Sequence, residues 1–200
     1  SYQMKVAEDG ELLARGPSVF PGYWNKPERT AEVFDGEGFF ATGDIGTIDA
    51  DGFVFITDRK KDLIVTAGGK NIAPQPVESA LKQSPLVESA VLIGEGRPFV
   101  VALLAPDLAG VAAWAREHGI DPADHRTALA HPELAARYAA VVEGVNARLA
   151  RFERIKDFRV LPRPFTVDGG ELTPTMKVRR RVVEAAYGEL IEAMYAGPAD

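Results

Sequence analysis

The stretch Asp58-Arg59-Lys60-Lys61-Asp62-Leu63-Ile64-Val65, continued by Thr66-Ala67-Gly68-Gly69-Lys70-Asn71-Ile72, decides how this chain is read. Three cations and two carboxylates stand directly before an apolar Leu-Ile-Val run of strand character, which opens into a Gly-Gly turn. A proline-started helix follows, over Pro74 to Gln83. A charged knot, a strand, a glycine loop and a helix start make a place able to bind an anion and to swing. The favoured domain boundary lies at this knot, near Asp58.

Upstream of the knot the sequence reads as short strands and turns. Asp9-Gly10, Asp35-Gly36 and Asp51-Gly52 are turn dipeptides between alternating segments, and Gly52 to Ile56 is a strand entering the knot. Downstream the character changes. Val87 to Ile93 and Phe99 to Leu104 are apolar strands separated by Gly94-Glu95-Gly96, which predicts a hairpin. Asp107 to His118 is helical. Leu134, Tyr138, Val141, Val142, Val145, Leu149 and Phe152 recur at helical spacing and predict one long helix over Pro132 to Phe152. Phe158 to Leu161 reads as a strand, and Val178 to Tyr195 as a closing helix. The stretch Asp107 to Arg151 is expected to be a packing embellishment between two strands. Its polar face mixes Glu133, Arg137, Glu143 and Arg148 with no basic bias, so peripheral membrane association ranks behind packing.

Composition narrows the classes. The 200 residues, 46% hydrophobic, suit one domain with a solid core or two small ones. A net charge of −6 argues against nucleic-acid binding. The absence of cysteine excludes disulfides and thiol catalysis and fits a cytoplasmic setting, and with three histidines no zinc site is expected. No apolar run reaches the roughly 18 residues of a membrane span. The first residues show no signal-peptide pattern and no initiator methionine, so the chain is expected to be a piece of a longer protein.

Three polar features carry chemistry. Asp44, in Thr42-Gly43-Asp44, reads as a carboxylate in a turn before a strand, able to accept two hydrogen bonds from a vicinal diol such as a ribose. Arg59 follows after a turn and a strand that bring it back toward Asp44. Lys177 lies in the loop Leu172-Thr173-Pro174-Thr175-Met176-Lys177 before the last helix, where a lysine can reach a phosphate as a point charge. Singly, each has a plainer reading: an Asx-turn, a surface ion pair, a solvated lysine beside Arg179, Arg180 and Arg181.

In this order and spacing they resemble the C-terminal portion of the adenylate-forming superfamily, which includes acyl-CoA synthetases, luciferases and peptide-synthetase adenylation domains. The matching residues are Gly22-Tyr23-Trp24-Asn25-Lys26-Pro27-Glu28-Arg29-Thr30, Thr42-Gly43-Asp44, Asp58 to Asp62 with Gly68-Gly69-Lys70-Asn71-Ile72 and Glu78, and Thr173 to Lys177. The Lys177 loop and the helical stretch look most like the long-chain fatty-acid–CoA ligase branch. The resemblance implies an α+β fold. Residues 1–58 would be the β-rich end of a large N-terminal domain. Residues 59–200 would be a mobile C-terminal domain, with a three-stranded, mainly antiparallel sheet flanked by helices, plus a hairpin.

It also implies roles. Asp44 and Arg59 would hold the ribose of ATP or acyl-AMP, with Ile56 packed near the nucleotide. Lys61 would be the hinge. Lys177 would enter for adenylation. Rotation would then bring Gly68, Gly69 and Lys70 to the tunnel through which CoA arrives. Fatty acid, ATP with magnesium, and CoA would be the substrates. The family's phosphate loop and its magnesium-associated glutamate are not in this sequence, so no metal site is expected in it, and residues 1–200 are expected to be inactive alone. Val65 stands where luciferases carry a lysine, which argues against light-producing chemistry. The alternatives are an acyl-AMP ligase loading a carrier protein and a non-catalytic interaction module that kept the fold.

Overall fold

The computed structural model describes residues 2–197. The chain divides into two compact units after Leu63, just beyond the boundary read from the sequence. The extra residues form a 3-10 turn, Lys60–Asp62, that stays with the first unit because Lys60 Nζ reaches both Asp9 and Glu11 at 2.7 Å.

The first unit is one four-stranded antiparallel sheet in sequential order, formed by β1 (Gln3–Val6), β2 (Glu11–Arg15), β3 (Phe40–Ile48) and β4 (Val54–Arg59). Aspartates shape its turns: Asp49 Oδ1 accepts the N–H groups of Asp51 and Phe53, and Asp35 Oδ1 those of Glu37 and Phe39. The motif Gly22 to Thr30 includes the start of a short helix, α1 (Pro27–Val33). Thr30 Oγ1 staples that start by accepting Tyr23 N–H and donating to Lys26 C=O, both at 2.9 Å. Phe20, Phe34 and Phe40 form an aromatic knot, while Phe53, just before β4, and Phe55 and Ile56 on it lie exposed.

The second unit begins with a two-stranded hairpin, β5 (Ile64–Val65) and β6 (Asn71–Ile72), and helix α2 (Pro74–Leu81). Its main sheet has β8 (Val100–Pro106) at the centre, antiparallel to β7 (Val87–Ile93) and parallel to β9 (Ile155–Val160). A parallel pairing needs a long crossover. Helices α3 (Leu108–Glu117), α4 (His125–Leu129) and α5 (Pro132–Asn146) supply it.

β8 is buried along its whole length, and the two-residue period of a strand divides it between two cores. Val100, Ala102 and Leu104 face one apolar cluster with α2, α3 and α5. Val101, Leu103 and Ala105 face the other, with α6 (Arg180–Ala186) and α7 (Gly188–Ala196). Trp114, Leu134 and Tyr138 are buried against the sheet, so the crossover helices pack as expected.

Two helices differ from the sequence reading. The periodic pattern over 132–152 gives a helix only to Asn146. The Asn146 side chain donates to Ile155 C=O and accepts Ile155 N–H, both at 2.9 Å, tying the helix end to the start of β9. Two backbone groups of the buried Ile155 are thereby satisfied, and the chain must turn back to reach them. The single closing helix over 178–195 is two helices, broken at Tyr187, whose hydroxyl reaches the buried Glu171 at 3.3 Å.

Candidate functional site

Thr42-Gly43-Asp44 is not a turn before a strand. It lies inside β3, as a bulge. Leu13 pairs with Ala41 and Glu11 with Ile45, so three residues of β3 stand opposite Leu12 alone. Gly43 adopts φ +74°, which a side chain would oppose. Three bonds fix the bulge: Thr42 Oγ1 donates to Leu12 C=O at 2.7 Å, Asp44 N–H donates to Thr42 Oγ1 at 3.1 Å, and Gly43 N–H donates to Glu11 Oε1 at 2.8 Å.

The strand pairing then places Asp44 opposite Arg59, and Arg59 Nε meets Asp44 Oδ1 at 2.9 Å. The Asp44 carboxylate is mostly covered while the guanidinium is about half exposed, 20% against 56%. This geometry keeps the second carboxylate oxygen and the Nη groups available to a diol. Ile56 lies on the same strand, 65% exposed. Lys61 lies exposed in the 3-10 turn that follows.

Gly68, Gly69 and Lys70 form the exposed β5–β6 loop. Thr66 closes it: its N–H donates to Lys70 C=O, and its carbonyl accepts Gly69 N–H, with Gly69 at φ +71°. The β7–β8 hairpin tip braces the loop from beside it. Glu95 Oε2 accepts Val65 N–H, Gly96 N–H donates to Val65 C=O, and Ala67 N–H donates to Arg97 C=O. The Lys70 ammonium stands 5.8 Å from the Phe152 ring centroid.

Lys177 sits exposed at the end of a closed loop in the same unit. A bridge between Leu172 and Val178 forms its neck, Thr173 N–H donates to Lys177 C=O, and Thr173 Oγ1 accepts Lys177 N–H. Met176 takes the left-handed φ of +62° that a glycine would adopt without strain. Beneath the neck lies Glu171, buried, gripped by both Arg163 Nη groups at 2.7 and 2.9 Å and by Thr166 N–H. The Arg163 guanidinium holds the Glu171 carboxyl below the usual glutamate range.

The basic run after Lys177 is not one solvated face. Arg180 pairs with Glu78 at 2.7 Å and donates to Leu92 C=O, while Leu92 N–H donates to the same Glu78 oxygen.

The structure thus joins Asp44, Arg59 and Ile56 on one sheet, and places Gly68, Gly69 and Lys70 on one loop of the second unit and Lys177 on another. Glu11, Lys60, Glu95, Arg163 and Glu171 were not singled out from the sequence. Glu171 could have been noticed as an acid immediately before the loop. Glu11 gives no such signal, since its partners lie 32 and 49 positions away. Among the described residues no group of three or more acidic, histidine or cysteine side chains could hold a metal ion, and no helix is long and apolar enough to cross a membrane.

Residues 61–199 match the family described as AMP-binding enzyme C-terminal domain, and the chain belongs to that family. It is 45% identical over 196 residues to the long-chain-fatty-acid–CoA ligase FadD15 of Mycobacterium tuberculosis, covering 96% of this chain and 32% of that protein. Human long-chain-fatty-acid–CoA ligase ACSBG1 is 36% identical over 204 residues, covering 93% of this chain and 28% of that protein. The chain therefore spans about a third of the length of these relatives. The adenylation domain of a carboxylic acid reductase from Segniliparus rugosus, solved in complex with AMP and a co-purified carboxylic acid, superposes with a TM-score of 0.70 at 27% identity. That match covers 98% of this chain and 31% of that one. ATP-bound MatB from Rhodopseudomonas palustris gives a TM-score of 0.59 at 28% identity, covering 95% and 34%.

Proposed function

We propose that this chain is the C-terminal third of an ATP-dependent long-chain fatty-acid–CoA ligase. Such an enzyme joins a fatty acid to ATP as acyl-AMP with release of pyrophosphate, then passes the acyl group to the CoA thiol with release of AMP. The observation that carries the reading is the Asp44–Arg59 pair, held across adjacent strands at 2.9 Å by a glycine bulge. In this reading the free Asp44 oxygen accepts the ribose hydroxyls and Arg59 donates to the same sugar. Ile56 packs near the nucleotide, and the exposed apolar residues of β4 are surface that the preceding part of the ligase covers.

Lys177 supplies a positive charge to the α-phosphate as the fatty-acid carboxylate attacks it. Its exposure and its closed, anchored loop suit a group that must be delivered rather than built in. Lys61 is the pivot, placed in the short turn near the end of the first unit. Gly68, Gly69 and Lys70 face the CoA path in the second step, where bare backbone permits close approach. Magnesium enters as the companion of ATP, and no residue of this chain is assigned to it.

Half-reactions of the full-length ligase test the division of labour. Lys177→Ala is expected to lower acyl-AMP formation by roughly 100-fold or more and to spare thioester formation from supplied acyl-AMP. Lys61→Pro is expected to do the reverse. Equal loss of both half-reactions in either variant contradicts the assignment.

A further inference from the structure

We propose that Glu11 is a positioning residue of the nucleotide clamp, tying the Asp44 bulge to the Arg59 strand end before any ligand arrives. The inference rests on the reading of Asp44 and Arg59 as the ribose clamp. Glu11 is a charged side chain at the start of β2 that is only 6% exposed. Burying a carboxylate is costly unless its oxygens are satisfied, and each oxygen has one partner of consequence. Oε1 accepts the N–H of Gly43, the residue before Asp44, at 2.8 Å. Oε2 takes Lys60 Nζ, on the residue after Arg59, at 2.7 Å. One side chain therefore spans the backbone neighbours of both clamp residues.

Asp9 closes the arrangement from the far side. Its Oδ2 also meets Lys60 Nζ at 2.7 Å, and its Oδ1 accepts Glu11 N–H at 3.1 Å. Lys60 thus carries two carboxylates, Asp9 first and Glu11 second, which hold its ammonium charged. Without Glu11 the Gly43 N–H loses its acceptor, and a left-handed glycine on a three-residue bulge regains conformational freedom. The Asp44 carboxylate would then be free to wander from the register that places it opposite Arg59. Misplacement of a binding group by about 1 Å is enough to matter at such a site.

The test uses ATP–pyrophosphate exchange with the full-length ligase, reading the KM for ATP separately from the KM for fatty acid. Glu11→Ala is expected to raise the KM for ATP roughly tenfold, with the fatty-acid KM unchanged. Glu11→Gln keeps an acceptor for Gly43 but loses the ion pair, so its effect is expected to be smaller. That variant also serves if the alanine variant fails to fold. Glu11→Gln combined with Lys60→Met is expected to be no worse than the more affected single variant, because both remove the same bond.

Asp44→Ala is the control. An unchanged KM for ATP in that variant overturns the ribose reading itself. A raised KM there, with unchanged nucleotide KM in the Glu11 variants, overturns the positioning role alone. A parallel change in both substrate constants together with a lowered melting temperature also overturns it, because a merely structural role predicts that pattern.

Discussion

The two units bury their sheets differently. In the second, β8 is covered on both faces, its odd and even residues entering two separate apolar clusters. In the first, no strand is buried along its length, and Phe53, Phe55 and Ile56 stand in the open at 66%, 51% and 65% exposure. The second unit is therefore held by apolar burial. The first has a small apolar set, Leu12, Phe39 and the aromatic knot, and leans more on backbone ladders, aspartate-capped turns and the Glu11–Lys60–Asp9 cluster. The proposed nucleotide contacts lie on the weakly cored unit, whose polar ties fix geometry. The exposed lysine and glycine loops hang from the strongly cored unit, which can carry them as a rigid body.

Core truncation is the strongest way to break this contrast. Leu103→Ala, in the fully buried central strand, is expected to destabilise the second unit by about 2–5 kcal/mol. Phe55→Ala on the open strand is expected to change the stability of the first unit by less than about 0.5 kcal/mol. Denaturant unfolding followed separately in each unit measures both. Similar losses at the two positions would remove the contrast.

A smaller effect tests whether the second unit also relies on a polar anchor. Glu171→Gln is expected to cost about 1–2 kcal/mol at neutral pH, since Arg163 is half exposed and partly screened. The Glu171 pKa is lowered in the folded state, chiefly by Arg163. Its contribution is therefore fully present above the ordinary glutamate value of about 4.3 and is lost as pH falls through the lower folded value. The difference between wild type and variant should close in acid. A gap that persists at low pH would assign the effect to packing.

The smallest effect concerns the Lys177 loop. Met176→Gly relieves a left-handed φ, which favours the folded loop by about 1 kcal/mol, while the added freedom of glycine in the unfolded chain offsets part of that. A net gain below about 1 kcal/mol is expected, read as a small rise in melting temperature. A clear loss would mean that the Met176 side chain makes a contact that stabilises the loop.

Much of this molecule was legible in its order of residues. The strands read over Val87 to Ile93 and Phe99 to Leu104 stand out because two largely apolar runs on either side of Gly94-Glu95-Gly96 have few alternatives. The knot at Asp58 to Asp62 and the glycine loop are contiguous, so they can be recognised locally. The helix ending at Asn146 was not legible, because apolar spacing continues to Phe152 and the reason to stop is a bond to Ile155, outside the helix. Nor was the character of Thr42-Gly43-Asp44. A Thr-Gly-Asp triplet suits a turn as well as a bulge, and only its pairing against a single residue of β2 selects the bulge.

By itself the sequence determined the kind of protein, the residues Asp44, Arg59, Lys61, Gly68, Gly69 and Lys177 as candidates, and the division of the chain near the knot. These rest on residue type and near-neighbour order, which a linear pattern preserves. Only the tertiary structure decided what holds those candidates in place: Glu11 beneath the Asp44–Arg59 pair, Glu95 beside the glycine loop, and Glu171 beneath the Lys177 neck. Each is a carboxylate that satisfies backbone or basic groups once the chain has folded around it. Glu11 and Glu171 end buried and Glu95 stays exposed, yet in the sequence all three look like carboxylates left in water.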